Sequence, residues 1–292
     1  MPAEPGVYRF RDDRDRVIYV GRASDLRARV RSYAGDLADR PHLRRMVPQV
    51  RRVEAVVCAS VPEAAWLERN LLERALPRWN RIRGGLELVG WLELDADPAR
   101  PLLRLVVAET DPPASAFGPY LGVERLALAR RGLLRVWPLE LAGQRLDPAA
   151  GSLAEARGVV PADLGRFAER IRAVLARDPD AIDELRLRLA GARDQAAAQL
   201  AFEVAGQVVE ETAAVVWLVA PQRVTGCTEG LVVAGWADGV LVTVRASGDR
   251  LDRWTSRPSS REAGERAASA TPARWRAFAV RNAELAAALR AC

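Results

Sequence analysis

The sequence predicts an α+β protein. Three observations lead there. Short strand-like runs alternate with longer helical stretches. Polar clusters and prolines punctuate them where turns and helix starts belong. The helices gather apolar residues at helical spacing, while the strands are short and rich in Val and Tyr. The expected architecture begins with a small three-stranded antiparallel sheet flanked by helices. A mixed middle region, a helical hairpin and a small C-terminal β/α module follow.

Residues 5–11 and 16–21 read as two strands joined by the polar turn Asp12-Asp13-Arg14-Asp15. An even-length loop centred there pairs residues whose numbers sum to 27, which sets Tyr8 directly opposite Tyr19. Asp25 caps a helix that runs to Tyr33. A second helical stretch surrounds Arg44, Arg45 and Met46, and residues 52–59 suit a third strand. Pro62 opens a helix that lasts to about Leu76, where Pro77 stops it.

From residue 86 the texture changes. Residues 86–94 and 102–108 read as strands, Phe117-Gly118-Pro119-Tyr120 as a rigid turn, and 124–136 as a helix. Residues 138–160 are rich in Gly, Pro and Ala and read as a linker. Residues 163–177 and 181–211 read as an antiparallel helical pair broken at Pro179. Residues 215–220, 231–237 and 240–246 suggest a β-meander with Ala237-Asp238-Gly239 as its tight turn. Residues 253–270 read as loose, and a last helix spans about 272–289. The division is therefore 1–85, 86–137, 138–160, 161–213 and 214–292. No internal repeat is visible.

Composition narrows the function. The 292 residues carry a formal charge of +6, and all 44 basic residues are arginine. Residues 1–85 hold 18 arginines against 11 acids, a balance of +7, so the remainder nets to −1. A cation excess confined to one segment is the footprint of a nucleic-acid partner, and arginine suits bidentate phosphate contacts. No apolar run is long enough to span a bilayer. The N-terminus lacks a secretion pattern, which points to the cytoplasm. Cys58, Cys227 and Cys292 are too scattered for a metal pair or a disulfide framework.

The chemistry-bearing residues crowd into the first eighty. Ala64, Ala65, Leu71, Leu72 and Ala75 make an apolar stripe with Glu68 in its middle. A carboxylate there needs a cation, either an arginine or a metal. Arg22, Leu26, Arg29 and Tyr33 share one helical face as a candidate phosphate clamp, while Arg27 and Arg31 point elsewhere. Tyr8 and Tyr19 sit in mirrored Gly-x-Tyr and Tyr-x-Gly arrangements, where glycine allows close approach. Guanidinium groups nearby should make the phenols lose their proton more readily. His42 reads as a surface or phosphate-proximal residue beside Arg44 and Arg45. Trp66, Trp79 and Trp91 read as core.

Taken in order, Gly-Val-Tyr, Tyr-Val-Gly-Arg-Ala, Asp-Leu-Arg-Ala-Arg-Val, Ser-Tyr, Arg-Arg-Met-Val, Leu-Glu-Arg-Asn-Leu-Leu and Pro-Arg-Trp-Asn resemble the GIY-YIG nuclease family. Within it, the resemblance is to the N-terminal half of the excinuclease UvrC and its shorter one-site homologues, and it runs from Gly6 to Asn80. Phe-Gly-Pro-Tyr at 117–120 is similar to a segment that follows the nuclease domain in UvrC. Residues 200–205 look like a worn copy of its helical motif for contacting UvrB.

The resemblance implies a metal-dependent DNA endonuclease acting on damaged or branched duplex, with a single 3′-side incision in nucleotide excision repair or a related damage- or structure-directed pathway. It implies Glu68 as ligand of one Mg²⁺ or Mn²⁺, Tyr8 beside the attacking water, and Arg29 on the scissile phosphate. Tyr19 and Tyr33 support, Asn80 orients groups at the domain's end, and Arg22 stands where UvrC usually has lysine. Arg27, Arg31, Tyr33, His42, Arg44 and Arg45 would face DNA. The four-cysteine cluster of UvrC is missing, so no iron–sulfur cluster is expected, and its second nuclease looks absent. The excinuclease component UvrB is a candidate partner and a membrane is not. The alternatives are a non-catalytic DNA-binding scaffold on a decayed nuclease, and a mobile-element or restriction-type nuclease.

Overall fold

Period-two alternation builds the first sheet. In β1 (Gly6–Arg11), Val7 and Arg9 face one way and Tyr8 and Phe10 the other. A computed structural model describes residues 1–35, 41–85, 87–107, 115–221, 230–247 and 250–291. Strand β1 is central, flanked by β2 (Val17–Ala23) and β3 (Arg52–Val57), both antiparallel to it. The register differs from the even-loop expectation: Tyr8 pairs with Gly21, and Tyr19 with Phe10. The cause is an odd-length turn. Asp15 adopts φ 59°, the Asp12 carboxylate accepts from the Arg14 and Arg16 N–H groups, and a bulge follows Phe10.

Helix α1 (Leu26–Arg31) is capped by Asp25, whose carboxylate accepts from Ala28 N–H at 2.8 Å. It tightens into a 3-10 turn at Ser32–Ala34 that carries Tyr33. Helix α2 (Pro41–Met46) holds His42, Arg44 and Arg45. Helix α3 (Val61–Arg74) starts earlier than Pro62 alone suggested. Ser60 accepts from Glu63 N–H while the Glu63 carboxylate accepts from Ala59 N–H, a reciprocal capping box.

Strands β4 (Val89–Asp95), β5 (Leu102–Val107) and β6 (Ala116–Leu121) form a second antiparallel sheet in the order β5-β4-β6. The expected strand ends at Leu86 and Ala108 lie outside the described residues. Phe117-Gly118-Pro119-Tyr120 is not a turn but part of β6, with a cis Gly118–Pro119 bond. The edge position tolerates the proline, and Gly118 at φ 149° lets the Trp91 ring come close.

Helix α4 (Val123–Val136) agrees with the expected 124–136. The expected linker at 138–160 instead contains a 3-10 turn at Leu139–Leu141 and α5 (Pro148–Ala156), capped by Asp147. The expected helical pair is three helices: α6 (Leu164–Leu175), α7 (Pro179–Ala198) and α8 (Phe202–Leu218). Pro179 opens α7 behind the Asp178 cap, and the break falls later, where Leu200 turns left-handed at φ 59°. Residues 215–220 are not a strand. Val208, Glu211, Ala214, Val215 and Leu218 form one buried helical stripe of α8. Arg135 of α4 holds the buried Glu211 carboxylate through two hydrogen bonds of 2.5 and 2.9 Å.

The C-terminal part is a meander of β7 (Leu231–Ala237), β8 (Val240–Ser247) and β9 (Arg250–Pro258), then α9 (Arg261–Ser269) and α10 (Ala273–Arg290). Asp238 and Gly239 turn β7 into β8 with φ of 43° and 78°. The segment expected to be loose, 253–270, is therefore half strand and half helix, α9 being capped by Ser260.

Contacts divide the chain into two compact units, Met1–Leu86 with Pro221–Cys292, and Glu87–Ala220. The C-terminal module thus belongs with the N-terminal sheet, which the sequence division kept apart. One apolar core joins Val7, Val20, Val56 and Leu67 to Val242, Trp254 and Phe278. A second, on the other sheet face, gathers Tyr8, Phe10, Leu26, Tyr33 and Met46. Side-chain amides close both sheet edges. Asn80 accepts from Val20 N–H and donates to Val20 C=O at the β2 edge. Asn282 of α10 makes the same pair with Val57 at the β3 edge. Trp66 is buried, while Trp79 and Trp91 are partly buried. Cys58 is buried, and Cys227 and Cys292 lie outside the described residues.

Candidate active site

The site grows from the Tyr8 face of the sheet. Tyr8 points between β2 and α1, fully buried. Gly21 opposite it makes room, since a methyl group there would sit 2.5 Å from the Tyr8 hydroxyl. Gly6 serves packing instead: a side chain there would strike the Val56 carbonyl. The mirrored glycines therefore have different tasks.

Three phenols converge. The Tyr8 and Tyr33 hydroxyls share a hydrogen bond of 2.7 Å, and Tyr19 hydrogen-bonds Tyr33. The Tyr8 and Tyr19 rings are 6.2 Å apart and tilted, so the slipped register still brings them together diagonally. Arg29 donates from Nε to the Tyr8 hydroxyl at 3.3 Å, and its guanidinium lies 5.6 Å from the Tyr33 ring. Among the described residues its two terminal nitrogens have no hydrogen-bond partner.

The phenols do not behave as the sequence suggested. Burial pushes Tyr8 up from 10.0 to about 12, with Tyr19 adding to the rise. Hydrogen bonds from Tyr33 and Arg29 offset only part of it. Tyr19 and Tyr33 are also raised, again chiefly by burial. Desolvation outweighs one guanidinium, so all three phenols keep their protons at neutral pH. Arg29 itself loses ground to burial, but the hydrogen bond to Tyr8 and the surrounding phenols raise it on balance, so it stays charged.

Glu68 is not in the middle of a buried stripe. The buried face of α3 comprises Pro62 to Leu67, Asn70 and Leu72, while Ala75 is exposed beyond the last turn. Packing by both the N-terminal sheet and the C-terminal module widens that face and leaves Glu68 on its edge, with 22% of its side chain exposed. The acid in the interior is Glu63, used for capping. Glu68 lies 3.4 Å from the Arg22 guanidinium at the end of β2. Its charge also reaches Tyr19, where it works against ionisation. Glu68, Arg22, the three tyrosines and Arg29 therefore occupy one region.

Other expected site residues fall elsewhere or do other work. Asn80 is engaged with the Val20 backbone, one residue from Tyr19, which fixes the β2 edge. Arg27 donates to the Met1 carbonyl at 2.9 Å and is exposed. Arg31, Arg44 and Arg45 are exposed, and His42 is partly buried on α2. The four arginines stand outside the hydrogen-bonded tyrosine network. Sequence reasoning passed over Arg9. It is 7% exposed, paired with Glu54, and stacked 4.0 Å over the Trp254 ring. The signal was available: a charged residue at an inward position of an otherwise apolar strand.

Against this geometry, the family model that matches is the UvrC-like GIY-YIG domain, over residues 4–81. Residues 4–81 are a UvrC-like GIY-YIG domain. The chain is 36% identical to UvrABC system protein C of Haloquadratum walsbyi over 148 residues, 48% of this chain and 23% of that protein. The same protein of Syntrophotalea carbinolica is 29% identical over 265 residues, 86% of this chain and 41% of the relative. The chain thus spans well under half the length of these relatives. Among solved structures, the magnesium-bound GIY-YIG N-terminal endonuclease domain of UvrC from Thermotoga maritima is 34% identical. The match covers 27% of this chain and 86% of that one, with a TM-score of 0.26. The sequence likeness to UvrABC system protein C thus extends past the GIY-YIG domain, into the middle and helical regions.

Proposed function

We propose that this chain is a metal-dependent DNA endonuclease that hydrolyses phosphodiester bonds with its GIY-YIG domain. The observation that carries the reading is the convergence of Arg29, with unengaged terminal nitrogens, and three phenols on the region where Glu68 meets Arg22. Such hydrolysis is mostly positioning and charge stabilisation, and this set offers both.

The donor set fits a hard cation such as Mg²⁺ or Mn²⁺. Glu68 is accessible from solvent, and Mg²⁺ is commonly held by one or two carboxylates while water and phosphate oxygens complete its shell. No cluster of three His, Cys, Asp or Glu occurs among the described residues, so a cation held by protein ligands alone is not the fit. The bound cation would supply positive charge at the phosphate and acidify the water beside it.

The chain's own residues do the rest. Arg29 grips a non-bridging phosphate oxygen with its terminal nitrogens and offsets charge in the transition state. Tyr8, neutral at physiological pH, aims the attacking water through its hydroxyl. Tyr33 and Tyr19 hold that hydroxyl in place. Arg22 pairs with Glu68, the residue that would hold the cation. Arg44, Arg45, Arg27, Arg31 and His42 supply backbone contacts along the duplex, which place it without reading sequence.

The finer reading is a single incision on the 3′ side of a lesion in nucleotide excision repair. The exposed Leu200 and Phe202 at the α7–α8 turn are the docking point for UvrB. Both are unusually open for their size, at 74% and 67%.

The Glu68–Arg22 pair also favours a second reading, a DNA-binding scaffold whose carboxylate is permanently engaged. One assay separates them. On lesion-bearing or branched duplex with Mg²⁺, wild type should nick. Glu68→Gln should lose about a hundredfold or more of that rate while binding DNA almost as well. A wild-type chain that binds these substrates yet never cuts them with Mg²⁺ or Mn²⁺ would establish the scaffold instead.

A further inference from the structure

On the sheet face opposite the tyrosines, a cavity of about 310 Å³ opens between the GIY-YIG sheet, the end of α3 and strand β9. Its polar lining is three guanidiniums, those of Arg9, Arg74 and Arg253, and no carboxylate is among the residues that line it. Glu54 balances Arg9. Arg74 and Arg253 are exposed and form no ion pair among the described residues, so they leave the cavity with net positive charge. The remaining wall is apolar and includes Val20, Leu71 and Trp254. Trp254 is 3% exposed, Arg9 stacks on its ring at 4.0 Å, and its indole N–H has no acceptor among the described residues.

We propose that this cavity binds a single nucleotide, the base among the apolar and stacked walls and the phosphate on Arg74 and Arg253. The chemistry asks for a ligand that is both planar and anionic. Guanidiniums pair with phosphate oxygens, and flat bases pack against aromatic and guanidinium planes. The volume is at the small end of ligand sites and so suits one nucleotide rather than a longer strand. Free nucleotide and an unstacked nucleotide of a DNA strand share this chemistry. The site is separate from the proposed cleavage centre, since adjacent residues Tyr8 and Arg9 point to opposite faces. It does not require the chain to be a nuclease.

Calorimetric titration of the full chain with dGMP, in the absence of metal, tests it. Saturable binding is expected, and Arg74→Ala with Arg253→Ala should weaken it on the order of tenfold or more. Arg14→Ala, on the β1–β2 turn and outside the cavity wall, should leave it unchanged. Deoxyguanosine and inorganic phosphate, each offering half the ligand, should bind far more weakly than dGMP. A short oligodeoxythymidylate that displaces dGMP identifies the strand nucleotide as occupant; one that does not identifies the free nucleotide. Both altered side chains are exposed, so folding is not at stake, and melting curves verify it. Absence of saturable dGMP binding overturns the proposal. So does binding that the double variant leaves intact, or phosphate binding as tightly as dGMP.

Discussion

At the scale of single residues, the phenol of Tyr8 decides the chemistry. Its hydroxyl accepts from Arg29 and shares a hydrogen bond with Tyr33, in a buried setting that lifts it to about 12. A phenol in that state can orient water but is almost never ionised near neutrality. Tyr8→Phe should therefore lower nicking by about tenfold, the loss of one orienting hydrogen bond. The ratio of wild-type to variant rate should stay flat from pH 7 to about pH 10, well below the folded pKa. A phenolate base would behave differently, its ratio climbing about tenfold for each pH unit. Single-turnover nicking measured across that range separates the two. The sequence placed these groups together here but got the direction of the pKa change wrong. Counting neighbouring arginines says nothing about burial, and burial is the larger effect.

At the scale of elements, the amides at the sheet edges explain how a three-stranded sheet stays defined. A two-sided edge leaves backbone groups unpaired. Asn80 and Asn282 each imitate a strand partner at one residue, Val20 and Val57. Asn282 is 1% exposed, so removing it strands the buried Val57 N–H and C=O. Asn282→Ala should cost about 1–3 kcal/mol for the orphaned groups. Asn80→Ala should cost less, because its edge is partly solvated. Denaturant midpoints on the two variants would check the order, and equal losses would contradict it. The elements themselves were largely legible. Proline and cap signals located α1, α3 and α10 within a few residues, and α4 was also placed closely. Two kinds of feature were not. The β1–β2 register depends on a bulge and on Asp15 at positive φ, which leave no mark in the alternation. The α7–α8 break turns on Leu200, a residue with no breaker character. Helix α5 was readable after all, since Asp147-Pro148 is a cap followed by a first-turn proline.

At the scale of the whole molecule, the association of residues 221–292 with the GIY-YIG domain was beyond local reading, because it rests on contacts between residues more than two hundred apart. Arg9 with Trp254 and Val57 with Asn282 are such pairs. The same burial has a consequence that spans the chain. The sequence holds four tyrosines, and all four are raised above 10.0 with burial as the leading cause. Tyr8 and Tyr120 reach about 12. Above pH 10 the unfolded chain releases these protons while the folded chain retains them. The folded state then binds more protons, so its stability must fall as pH rises. Stability is complete below the unfolded value and declines through the folded ones. Each tenfold gain in proton affinity on folding is worth about 1.4 kcal/mol for a buried phenol such as Tyr8. Native protein at pH 10 to 11 should therefore show little phenolate absorbance, where free tyrosine is at least half ionised. The phenolate signal should arrive together with loss of far-ultraviolet circular dichroism at higher pH, in one transition. Tyr8→Phe, with one raised phenol fewer, should move that transition upward. A smooth titration of several tyrosines near pH 10 with the fold intact would mean that these rings meet water, and the buried tyrosine cluster would not be the structure in solution.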